Sequence, residues 1–188
     1  MKETFSEEKL VSLIPQINGI KDSELKRKTV EAWKLAYEAG NFDDLATARF
    51  NKFCDYVTLC KHTRSVTAMS VMLGKNLAET YSYEIDFDRL ICVAVLHDIS
   101  KLLECCVEDG AYKQTEIGAS YQHGFFSTYY ALQAGMPHPI AAAILTHTHQ
   151  THTLPTSLEG IIVTYADLAD ADAHRFMLGK PLHVADLH

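Results

Sequence analysis

Glycine and proline are scarce in this chain of 188 residues, 9 and 5 in number, and no segment alternates apolar and polar residues over a long stretch. Sheet patterning is therefore missing, and apolar residues recurring at three and four positions read as an all-α protein. No apolar run approaches the roughly 18 residues that span a bilayer. The opening MKETFSEEKLVSL also lacks a basic start followed by a continuous apolar segment. A soluble, cytoplasmic protein with no membrane partner is expected. The five cysteines (Cys54, Cys60, Cys92, Cys105 and Cys106) are an odd number without zinc-ligand spacing. In a reducing compartment they read as small buried hydrophobes, not as a disulfide framework. Basic blocks are absent too, and the net charge is -7. Binding to nucleic acid duplexes is not expected, although a local positive site can still hold a small phosphate.

An apolar share of 47% allows one domain with an ordinary core. Ser6 is placed to cap a short helix through Leu13 that Pro15 stops, and a second helix reads from about Ser23 to Ala39, ending at Gly40-Asn41. Asp43 or Asp44 is expected to open a third, with Ala46, Phe50, Phe53, Cys54 and Val57 as its core stripe. Nothing in residues 1 to 58 suggests catalysis. That part reads as a helical extension or lid on a domain running over 59 to 188. Farther on, His62, Val66, Met69, Leu73 and Leu77 share one helical stripe, which turns the histidine inward. Asp86 or Asp88 can cap the next helix, whose apolar run from Leu90 to Leu96 leads into His97-Asp98. Helices are also expected over about Ile117 to Ala134, carrying His123; from Pro139 to about His147; and after Ser157, carrying Asp167.

Histidine is the compositional excess, with ten copies. Two polar groups ending a buried segment, as in VAVLHDISKLL, are costly unless something satisfies them. A single histidine on an apolar face is more often a satisfied core residue than a ligand. Six such groups, His62, His97, Asp98, His123, His147 and Asp167, are another matter, because a bundle can bring inward-facing residues of several helices to one point. Four imidazoles and two carboxylates suit two divalent transition ions, with Asp98 as the bridging carboxylate. A closed structural zinc site would use four ligands, fewer than are present. In the cluster THTHQTH, His147 shares a face with Ile140 and Ile144, whereas His149 is rotated by roughly 200° and His152 precedes Pro155 in an expected loop.

The segments HTRSVTAMS, VLHDISK, QHGFFSTYYAL, AILTHT and VTYADLADA resemble, in order, the H…HD…H…H…D signature of the HD-domain superfamily of metal-dependent phosphohydrolases. The resemblance runs over about Cys60 to Ala173 and is greatest to the small bacterial HD hydrolases that cleave dinucleoside tetraphosphates symmetrically. It implies an HD-domain helical bundle, with His62, His97, Asp98, His123, His147 and Asp167 as ligands of two ions, iron first and manganese, zinc, cobalt or nickel as alternatives. The expected activity is hydrolysis of a phosphate ester or anhydride of a nucleotide or dinucleotide. Asp98 and Lys101 are then the catalytic candidates, and Arg64, Lys101, Thr148 and His149 the substrate-binding ones. Two alternatives stay open: a mixed-valent di-iron oxygenase that cleaves a C-C or C-P bond, and a non-enzymatic metal-bound nucleotide sensor. A homodimer is compatible with the sequence.

Overall fold

Short polar side chains set the helix boundaries. The Ser6 hydroxyl accepts from the Lys9 amide at the start of α1 (Glu7–Leu13), and Asp22 accepts from two amides at the start of α2 (Ser23–Ala39). A 3-10 turn over Pro15–Gly19 joins them. Thr58 caps α3 (Leu59–Tyr81) and Asp86 caps α4 (Phe87–Leu96). Then come the one-turn α5 (Lys101–Glu104), a hairpin of β1 (Cys105–Glu108) with β2 (Ala111–Gln114), and the short α6 (Glu116–Ser120). The chain continues through α7 (Phe125–Gln133), α8 (His138–Leu145), with Pro139 in its first turn, and α9 (Leu158–Met177), capped by Ser157. The computed structural model describes residues 2–51, 54–148, 151 and 153–187.

The centre of the bundle is α4. Every residue from Leu90 to Leu96 is buried, as expected of a helix apolar all round. α2, α3, α8 and α9 pack against it. Trp33 of α2 is fully buried and its indole N–H donates to the Val95 carbonyl at 3.1 Å, so the N-terminal helices share the core cluster with α4. Of the cysteines, Cys54, Cys60, Cys92 and Cys105 are buried free thiols and Cys106 is half-buried. Burial pushes Cys60 and Cys92 up to about 12. Among the described residues no helix is long and apolar enough to cross a membrane.

Four expectations are corrected. The third helix is not seen among the described residues of 43–58. Asp44 accepts from Ala46 N–H and Asn51 from Cys54 N–H, side-chain bonds that offer the backbone turns instead of helix, and Arg49 pairs with Thr58 in a β-bridge. Phe50, Cys54 and Val57 are nonetheless buried, while Phe53 lies outside the described residues. Second, the helix expected over 117 to 134 is two helices, broken before Gly124, whose φ of 88° is one that L side chains rarely adopt. Third, the pattern missed the hairpin, whose Asp109-Gly110 turn has positive φ at both residues. Fourth, Leu73 is exposed, because the inward face of α3 runs instead through Thr63, Val66, Thr67, Ser70 and Gly74.

Candidate metal centre

Five separate elements deliver histidine and aspartate side chains to one point. His62 comes from the first turns of α3, and His97 and Asp98 follow the end of α4. His123 comes from the loop before α7, His147 from just beyond α8, and Asp167 from α9. Two triads result, His62 with His97 and Asp98, and Asp98 with His123 and His147; in each, the ligand atoms lie within 4.8 Å of one another. Asp98 belongs to both and divides its oxygens between them. Oδ2 lies 3.5 Å from His62 Nε2 and 3.8 Å from His97 Nε2, while Oδ1 lies 2.7 Å from His123 Nε2 and 3.8 Å from His147 Nε2. Asp167 Oδ1 joins the first triad, 3.1 Å from His62 Nε2 and 3.7 Å from His97 Nε2.

Helix ends decide which ring nitrogen faces the centre. The last carbonyls of a helix have no partner inside it. His97 Nδ1 donates to Ala94 O at 2.7 Å, and His147 Nδ1 donates to Ile144 O at 2.6 Å. With the proton fixed on Nδ1, Nε2 carries a lone pair aimed inward. His62 Nε2 and His97 Nε2 approach to 3.2 Å. Asp98 Oδ1 and His147 Nε2 are buried with no hydrogen bond among the described residues, the 2.7 Å approach of His123 being off the bonding direction. Buried acceptors without donors are costly unless a cation satisfies them, and an imidazole and carboxylate set suits divalent transition ions. The residues fit a binuclear metal centre.

The charges are strongly coupled. Burial works against ionised Asp98, yet His123, His97 and Lys101 hold it well below the usual carboxylate range; Asp167 is likewise held down, against burial, by His62 and His97. Burial and the neighbouring Lys101 charge oppose protonation of His123, but Glu104 and Asp98 raise it to about 9. His147 goes the other way, lowered to about 4 by burial and by repulsion from His97 and His123.

A pocket of about 200 Å³ opens from this centre. Asp98, Lys101, His123, His147, Thr148 and Asp167 line it, and Asn51, His174, Arg175 and His183 are among its other walls. Lys101 is therefore in the pocket, although the helix expected to place it stops at Leu96; turns over 97–100 carry it there instead, with its ammonium 3.2 Å from Glu104 Oε2. Thr148 also lines the pocket. Arg64 does not, since two positions along α3 from His62 rotate it by roughly 200°, and it is exposed. His149 and His152 lie outside the described residues.

Sequence reasoning missed four contributors. Phe50 stacks on His62 with ring centroids 3.7 Å apart, and Asn51 is in the pocket wall, so residues 1 to 58 do reach the site. Asp170 Oδ2 accepts from His62 Nδ1 at 2.7 Å, and both oxygens of Glu104 lie 3.1 Å from His123 Nδ1. A signal for Asp170 existed: it stands three residues after Asp167, on the same face of α9.

Comparisons agree with the geometry. The family model described as HD domain matches residues 59–172. The chain is 32% identical over 175 residues to the dihydroneopterin 2',3'-cyclic phosphate phosphodiesterase of Methanocaldococcus jannaschii, covering 87% of this chain and 68% of that protein. No solved structure gives a match of comparable significance.

Proposed function

Because the chain belongs to the HD-domain family, we propose that it hydrolyses a small phosphorylated molecule at a binuclear centre held by His62, His97, Asp98 and Asp167 on one side and Asp98, His123 and His147 on the other. The observation that carries this reading is the division of Asp98, one oxygen to each triad. Two bound ions supply an activated water and a clamp on the phosphoryl oxygens during in-line displacement. The chain's own part is to fix the ligands, enclose the site and place charge. His97 and His147 are locked in the ligating tautomer by helix carbonyls. Lys101, in the pocket wall beside Glu104, offers a positive group to the phosphate oxygens, and Thr148 a hydroxyl.

The substrate we favour is a phosphodiester or anhydride of a mononucleotide-sized molecule. The similar archaeal protein is named for a 2',3'-cyclic phosphate, and a pocket of about 200 Å³ suits one heterocycle better than two nucleosides joined by four phosphates. Iron remains the first candidate metal, since imidazole with carboxylate suits it as well as manganese or zinc. We treat residues 1–58 as an extension of a domain over 59–188, an arrangement supported by the Trp33 bond to Val95 and the stacking of Phe50 on His62.

The test is direct. Protein purified without chelator should carry close to two transition ions and, without oxygen, release product from a 2',3'-cyclic nucleotide or from bis(4-nitrophenyl) phosphate. Turnover that consumes oxygen stoichiometrically, with no hydrolysis when oxygen is excluded, overturns the reading.

A further inference from the structure

Each triad contains one histidine backed by a main-chain carbonyl and one backed by a carboxylate. In the first, His97 leans on Ala94 O and His62 on Asp170; in the second, His147 leans on Ile144 O and His123 on Glu104. The reason lies in helix position. His97 and His147 follow helix C-termini, where unpaired carbonyls are at hand. His62 sits in the first turns of α3, where it is amides that lack partners, and His123 sits in the loop before α7. For both rings the acceptor is a carboxylate from another element.

We infer that Asp170 and Glu104 are positioning residues with separate duties, Asp170 tuning only the ion of the first triad and Glu104 only the ion of the second. The inference rests on the binuclear reading. A carboxylate receiving the distal N–H fixes the ring and makes its other nitrogen a stronger donor, a contribution worth 10- to 100-fold in metal affinity. Asp170 is well placed for this. Its Oδ2 takes His62 Nδ1 at 2.7 Å while Ser65 Oγ donates to its Oδ1 at 2.5 Å, and Phe50 covers the face of the same imidazole. The ring is thus held at its edge and on its face, with Nε2 left to the centre.

Glu104 does for His123 what Asp170 does for His62, with Lys101 in place of the serine. The Lys101 ammonium is 3.2 Å from Glu104 Oε2 and 3.2 Å from His123 Nδ1. An ammonium only donates, and a His123 that ligates through Nε2 carries its proton on Nδ1. In that tautomer both Nδ1–H and the ammonium donate to Glu104, which holds ligand and cation together. The hydrogen-bond and ion-pair partners of Asp170 (His62, Ser65 and His174) and of Glu104 (His123 and Lys101) are different residues, which is why the two supports are assigned separate ions.

The experiment titrates the chelator-stripped full chain with Co(II), counting ions by elemental analysis and following the ligand-field bands of each bound ion. His62→Ala and His147→Ala identify which binding step belongs to which triad. Asp170→Asn should weaken the step that His62→Ala abolishes by 10- to 100-fold and leave the other unchanged. Glu104→Gln should do the reverse, and Asp170→Glu or Glu104→Asp should recover part of the lost affinity. Ser65→Ala, which loosens Asp170 without touching a ligand, should weaken the first step more mildly, and it decides the matter if Asp170→Asn does not fold. Equal weakening of both steps by either variant, or unchanged affinity in both, overturns the inference while leaving two ions in the unsubstituted chain. Fewer than two ions in that chain overturns the binuclear reading itself.

Discussion

Asp98 is 2% exposed and serves both triads, so no neighbouring side chain can replace it. Asp98→Ala should therefore empty both metal positions, whereas His147→Ala should empty one; elemental analysis of the purified variants checks this, and retention of both ions by Asp98→Ala contradicts the bridge. His123 gives a pH test. Without metal its pKa is about 9, above the ordinary ~6.5. Its bound proton adds stability that is complete below about 6.5 and lost as pH rises through about 9. The same proton must leave before Nε2 can ligate, so metal binding tightens over that interval. The Tm of chelator-treated protein should fall between pH 7 and 9 while the gain in Tm on adding metal grows. A metal-free Tm that stays level would show that His123 is not held in the charged form.

Gly124 stands at the break within the segment that the sequence pattern runs together as one helix, immediately before α7. Its φ is 88°, and a Cβ there would meet His147 Cε1 at 3.3 Å. Gly124→Ala should cost roughly 1–2 kcal/mol of stability and weaken metal binding at the second triad, as urea unfolding and metal titration would report; unchanged values in both would remove the loop from the design of the site. The break was hidden because Ile117 to Ala134 is apolar enough to read as a single helix, and only the backbone angle separates its halves. Asp86, Ser157 and Pro139 were legible because capping and proline chemistry are local. The candidate ligands stood out for a related reason, since His62, His97 and Asp98 interrupt otherwise apolar faces. Asp170 and Glu104 did not. The spacing of Asp170 from Asp167 marks its face of α9 but not its partner: His62 and His123 lie 108 and 19 residues from the carboxylates they meet, and no periodicity on one helix reports a bond to another element.

The N-terminal helices and those carrying the candidate ligands share one core, in which Trp33 is fully buried against α4. Trp33→Ala should cost about 3–5 kcal/mol and lower a single unfolding transition for the whole chain, seen together by far-ultraviolet circular dichroism and by metal release. Two separated transitions would show residues 1–58 unfolding on their own. The scattering of ligands over five elements has a kinetic side. An ion held by His62 and Asp167, as proposed, would join α3 to α9 and close a long loop, and the closure entropy removed from an unfolded chain grows with loop length. Departure of α9 then requires ligand bonds to break first, so the loaded protein should resist proteolysis far longer than the stripped one. Exchange of its metal with the surroundings should proceed no faster than the bundle opens.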